Sequence, residues 1–181
     1  MSKQIPQKKV KNYFYKNNKD KTFSNVTPTW VSHGNSYSNG GTSVDLDNDG
    51  DLDLVINNIN EEAFVLENTS DQNSQNSYLK IKFKGNSNNI FGIGTTVKAF
   101  YKGQVITEEN YTTKGYLSSI EPKIHLGFGT TKIVDSLHII WSTNAYQTLK
   151  NIGVKNIVIE ISAPFFLENL LKTIINETNN N

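Results

Sequence analysis

The chain has 181 residues, room for one ordinary domain or two small ones with a real core, and a formal net charge of +1. All 18 basic residues are lysine, so the planar arginine fork that reads guanine edges and phosphates is missing and a nucleic-acid role is disfavoured. The absence of cysteine excludes a disulfide framework, a thiolate zinc site and a cysteine nucleophile, and no run of about 18 apolar residues is present to span a bilayer.

The opening residues, MSKQIPQKKVKN, carry positive charge with no apolar stretch behind them, so the sequence as written shows no signal peptide. Asparagine makes up about one residue in seven, and much of it sits where turns are expected. Period-two alternation with β-branched and aromatic enrichment predicts strands at 12–16, 22–26, 42–46, 52–57, 63–68, 78–84, 96–102, 104–113, 133–141, 146–150 and 156–161. KIHLGFG, around His125, reads as a further candidate strand. Short strands at this spacing predict an all-β fold of sandwich or propeller type.

TSDQNSQNS, residues 69–77, has no large apolar side chain and reads as a linker between two β modules, 10–68 and 78–161. Beyond Ile161 the pattern changes. Phe166, Leu167, Leu170, Leu171, Ile174 and Ile175 recur at helical spacing, with Ser162 as cap and Pro164 in the first turn. A short amphipathic helix is therefore expected over 162–181, docked on its own sandwich or used for a partner or membrane surface.

Residues 45–53 read DLDNDGDLD. As an extended strand the run would place five carboxylates in a self-repelling row, and Gly50 would weaken it further. TSV before it and LVI after it make it a turn held between strands. A hard cation reverses the balance, because calcium gathers six to eight oxygens at 2.3–2.6 Å and alternate residues of a tight loop can supply them. Asp45, Asp47 and Asp49 are expected to ligate through carboxylates and Asp51 through its carbonyl, with Asp53 closing the shell. Gly50 would make the bend at positive φ. An EF-hand is excluded, since its twelfth position, a glutamate, is Ile56 here. Calcium is preferred over magnesium or manganese and over a solvated acidic turn; zinc would want His or Cys within the run.

DxDxDGxxD between strands resembles the calcium hairpin of FG-GAP/VCBS repeats, the blades of integrin-α-like β-propellers. The upstream NYFYKNNKDKTFSNVT resembles their strand pair, with Lys19-Asp20-Lys21 where glycines usually flank the aspartate. The second module resembles the ASPIC/UnbV domain of cartilage-acidic-protein-like secreted proteins, through YLKIKFKG (78–85), FGIGTTVKAFYKG (91–103), TKGYLSSIEPKIHLGFG (113–129), VDSLHIIW (134–141) and QTLKNI (147–152). That domain usually follows its long strand with Trp-Pro-x-Gly, where this chain has Trp141 and then Ser-Thr-Asn. The resemblance implies partial β-propeller-type blade structure followed by a small β-sandwich.

Other residues have plainer readings. His125 and His138 fit structural strand histidines better than a metal pair, and His33 an exposed loop. Ser118 and Ser119 lack the G-x-S-x-G elbow of a nucleophile. Gly92 and Gly94 fit a bulge or close backbone approach better than a phosphate cradle. Tyr101, Tyr111, Tyr116, Trp141 and Tyr146 fit either a carbohydrate-stacking surface or ordinary packing.

The expected function is a non-catalytic, calcium-stabilised β module of a secreted or cell-surface protein, acting in adhesion, scaffolding or recognition of a protein or glycan surface. One blade cannot close a propeller, so the chain is expected to be the C-terminal part of a longer protein with blades upstream. The alternative is a calcium-dependent carbohydrate-binding module or polysaccharide-active enzyme fragment.

Overall fold

A computed structural model describes residues 8–70, 75–154 and 157–164. The first strands are β1 (Tyr15–Asn17), β2 (Phe23–Asn25), β3 (Ser38–Val44), β4 (Asp53–Asn58) and β5 (Phe64–Leu66), with a single helical turn, α1 (Thr27–Trp30), after β2. They continue with β6 (Tyr78–Lys84), β7 (Thr96–Tyr101), β8 (Gln104–Glu109), β9 (Thr113–Gly115), β10 (Ser118–Ser119), β11 (Lys123–Gly127), β12 (Ile133–Ile140), β13 (Tyr146–Gly153) and β14 (Ile157–Ser162). The all-β expectation holds. The expected helix over 162–181 lies outside the described residues beyond Ala163 and Pro164; Ser162, its expected cap, ends β14.

Two compact units result: Met1–Ser74 with Thr112–Glu121, and Gln75–Tyr111 with Pro122–Asn181. In the first unit, β1 and β2 form an antiparallel hairpin. Its turn places Lys19 and Lys21 at φ of 67° and 70°, the left-handed region that glycine occupies without strain. Asp20 between them accepts the Thr22 backbone N–H and hydroxyl, which holds its carboxyl below the usual range. The absent glycines thus leave the glycine backbone in place. Strands β3, β4 and β5 form an antiparallel sheet whose β3–β4 turn is the aspartate run.

An open β3 edge would expose unpaired backbone groups. The small β9–β10 hairpin covers it. Ser118 Oγ accepts the Gly41 N–H at 3.0 Å, and Thr42 Oγ1 donates to the Ser119 carbonyl at 2.8 Å. Gly40 permits the approach, since a Cβ there would lie 3.3 Å from the Tyr116 and Leu117 carbonyl oxygens.

The second unit holds two sheets around one core. One has the order β11-β6-β14, with β14 parallel to β6; the other runs β13-β12-β7-β8 and is antiparallel throughout. Alternate residues of both sheets (Leu79 and Ile81, Val97 and Ala99, Leu137 and Ile139) are wholly buried between them, as period two requires. Trp141 stays in phase with Leu137 and Ile139, packs edge-on against Phe83 at 5.5 Å, and donates from Nε1 to Gln147 Oε1 at 2.7 Å. Asn144 closes the β12–β13 turn at φ 63°, a second position where glycine is absent and its backbone conformation kept. Gly92 is a close approach rather than an anion cradle: at φ +59°, a Cβ would come within 2.7 Å of the Phe83 Cβ.

Candidate metal centre

The turn between β3 and β4 is built by two left-handed residues, Asn48 at φ 65° and Gly50 at φ 98°. Asparagine tolerates this conformation and glycine has no Cβ to oppose it, so the sharp bend expected of Gly50 is present. Asp47 Oδ1 accepts the Asp49 N–H at 3.1 Å and Asp49 Oδ1 accepts the Asp51 N–H at 2.9 Å, two short side-chain turns that fold the loop onto itself.

The bend brings Asp45, Asp47 and Asp49 together. One carboxylate oxygen from each lies within 4.8 Å of the other two, with Asp45 buried, Asp49 half-buried and Asp47 exposed. Ligands held 2.3–2.6 Å from a common calcium stand no more than about 5 Å apart, so the trio fits that ion. An all-oxygen, all-anionic donor set also suits a hard cation better than zinc.

Asp51 and Asp53 stand differently. Asp51 Oδ2 accepts the Ser70 hydroxyl at 2.9 Å, which points its side chain toward the segment after β5. Asp53 is 3% exposed; its Oδ2 accepts the Leu46 N–H at 2.9 Å and its Oδ1 the Asn68 N–H at 2.8 Å. One carboxylate therefore closes the loop across its mouth and ties it to the end of β5. Each oxygen keeps a second lone pair. Asn68, which sequence reasoning did not single out, adds a bond from Nδ2 to the Leu52 carbonyl at 3.3 Å. Beside Asp53 an open cleft of about 790 Å³ is lined by Phe14, Trp30, Leu52, Leu54, Leu66 and Asn68 among others.

Two family models match the chain in tandem. Residues 7–56, which include the whole aspartate loop, match the model of the FG-GAP-like repeat. Residues 85–162 match that of ASPIC and UnbV. The chain joins an FG-GAP-like repeat to an ASPIC and UnbV domain. No curated protein matches it.

Within the FG-GAP-like repeat, His33 is half-buried and stacks on Phe64 at 4.5 Å, with Nδ1 against the Gly34 carbonyl at 2.9 Å. In the ASPIC and UnbV domain, His125 stacks on Tyr78 at 5.3 Å. Burial first, then the Lys80 and Lys123 cations, push its imidazole down to about 4. His138 sits between Phe100 at 4.6 Å and Tyr146 at 5.6 Å. Each imidazole is thus held by a ring. Ser118, matched within the same domain, is occupied on the β3 edge and also donates to the Tyr116 carbonyl at 2.8 Å.

The five aromatics considered as a stacking surface differ in burial. Trp141 is core, Tyr101 packs edge-on against Phe128 at 5.1 Å, and Tyr111, Tyr116 and Tyr146 are exposed on separate segments.

Proposed function

We propose that the chain is a non-catalytic, calcium-stabilised β module of a secreted or cell-surface protein, acting in adhesion, scaffolding or recognition. The observation that carries the metal part is the convergence of Asp45, Asp47 and Asp49 on one point of a loop bent by Asn48 and Gly50. In this reading their carboxylates hold the ion, the Asp51 carbonyl adds a neutral oxygen, and Asp53 completes the shell with lone pairs its two N–H donors leave over. The ion neutralises carboxylates that would otherwise repel one another and locks the β3–β4 turn, so its binding free energy adds to folding. Extracellular calcium modules bind with a Kd on the order of 10⁻⁴–10⁻³ M, a range filled outside cells and left empty in the cytosol. FG-GAP repeats typically occur in extracellular or surface proteins, and no helix among the described residues is long and apolar enough to cross a membrane.

We further propose that the FG-GAP-like repeat packs against upstream blades, the chain being the C-terminal part of a longer protein. Among the described residues of this unit Ile56 is the one buried large hydrophobic, while Tyr13, Tyr15, Phe23 and Trp30 are each about 60% exposed. A propeller blade normally hides such side chains against its neighbour. Calcium titration followed by calorimetry, with melting recorded beside it, tests the reading: heat and a raised Tm support it, and neither would reject it.

A further inference from the structure

We propose that the outward face of the β13-β12-β7-β8 sheet is a calcium-independent binding site for an anionic polysaccharide, held on a platform of Phe100, His138 and Tyr146 between Lys98 and Lys150. This rests on the recognition role proposed above and names its ligand class.

The platform follows from strand alternation. Val97 and Ala99 on β7, and Leu137 and Ile139 on β12, are wholly buried in the core, so Lys98, Phe100, Ser136, His138 and Ile140 stand on the opposite face. The register places Ser136 beside both Phe100 and Lys150, His138 between Lys98 and Thr148, and Ile140 between Thr96 and Tyr146. Three rings from three strands then meet in series, Phe100 to His138 at 4.6 Å and His138 to Tyr146 at 5.6 Å. Ser136 Oγ lies 3.3 Å from His138 Nε2 and steadies the central ring. The platform faces solvent: Tyr146 is 56% exposed, and Val105, the β8 partner of Phe100, is 53% exposed.

The chemistry of this face selects its occupant. A protein partner wants a contiguous apolar centre, whereas here the three rings, Ile140 and Val105 share the face with the hydroxyls of Thr96, Thr107, Thr148 and Ser136 and with two lysines. A pyranose ring offers an apolar C–H face to an aromatic and a rim of hydroxyls to its neighbours. The lysine ammonium groups at Lys98 and Lys150 supply the complement to carboxylate substituents, and Glu109 is kept to the far end of the row that begins at Tyr146. Calcium plays no part, since the acidic loop belongs to the other unit.

The test is titration of the full chain with soluble oligogalacturonate and with its methyl ester, which keeps the sugar rings and removes the charges, each in calcium and in EDTA. The expected result is salt-sensitive binding of the acid form, at least about tenfold weaker for the ester and unaffected by EDTA. Tyr146→Ala should weaken it by about tenfold, and Lys98→Gln with Lys150→Gln should abolish its salt dependence, each with Tm unchanged. No binding, equal binding of acid and ester, or undiminished binding by Tyr146→Ala and the lysine pair would overturn the proposal. EDTA-sensitive binding would transfer recognition to the calcium loop and overturn it as well. A missing calcium-induced Tm shift would instead count against the metal reading alone.

Discussion

Ser118 Oγ accepts the backbone N–H of Gly41 at 3.0 Å across 77 residues of sequence, and with it the β9–β10 hairpin is tied to the edge of the FG-GAP-like sheet. The tie depends on Gly40, whose missing side chain leaves room for the Tyr116 and Leu117 carbonyls and the Ser118 hydroxyl. Gly40→Val should lever the hairpin away and cost about 1–3 kcal/mol, the usual range for overpacking. Ser118→Ala should cost about 1 kcal/mol and speed hydrogen exchange at the Gly41 amide. Unchanged exchange at Gly41 would show that the hairpin does not protect this edge.

Asp53 and Asp47 should separate structural from metal-binding roles. Asp53→Ala leaves the Leu46 and Asn68 amides without their acceptor, so the calcium-free chain should lose about 3–6 kcal/mol, taken as two hydrogen bonds to a charged group. Asp47→Asn is exposed and keeps its amide-accepting oxygen, so the calcium-free Tm should hold while calcium no longer raises it. Melting with and without calcium decides. A calcium-free loss at Asp47→Asn as large as at Asp53→Ala would contradict the division.

Lys19 and Lys21 occupy a backbone conformation that costs a side-chain-bearing residue roughly 1 kcal/mol. Replacing either by glycine should therefore raise stability by a few tenths to about 1 kcal/mol, despite glycine's larger entropy when unfolded. Denaturant midpoints of Lys19→Gly and Lys21→Gly below the parent value would refute this.

His125 gives the ASPIC and UnbV domain a pH dependence of known sign. Its folded value, about 4, lies below the ordinary 6.5, so in that window the unfolded chain holds the extra proton. Stability should fall as pH drops from 6.5 toward 4 and then level off. Lys80 lies opposite in register, Lys123 two residues along the strand, and the Tyr78 ring against the imidazole. His125→Phe keeps the stack and should flatten this part of the curve; parallel curves for parent and variant would contradict the assignment.

The clustering of Asp45, Asp47 and Asp49 was legible because its signal is local: alternation sets which side chains gather and Gly50 the bend, and both need only nearest neighbours. The double duty of Asp53 was not, because Asn68 comes within reach only once β5 has paired with β4. Strand β10, two residues long, and the four-residue helix α1 are too short to show a period. Trp141 could have been placed in the core from sequence, since it shares the odd-numbered phase of Leu137 and Ile139. Phe100 and His138 could not have been joined to Tyr146, because register between strands brings the three rings together.

The central claim is that a divalent ion holds the crowded β3–β4 turn together. Isothermal calcium titration of the chain beside an Asp47→Ala, Asp49→Ala double variant tests it most directly. The predicted result is binding with a Kd on the order of 10⁻⁴–10⁻³ M in the parent, accompanied by a higher Tm, and neither in the variant. Equal heats in the two proteins would contradict it.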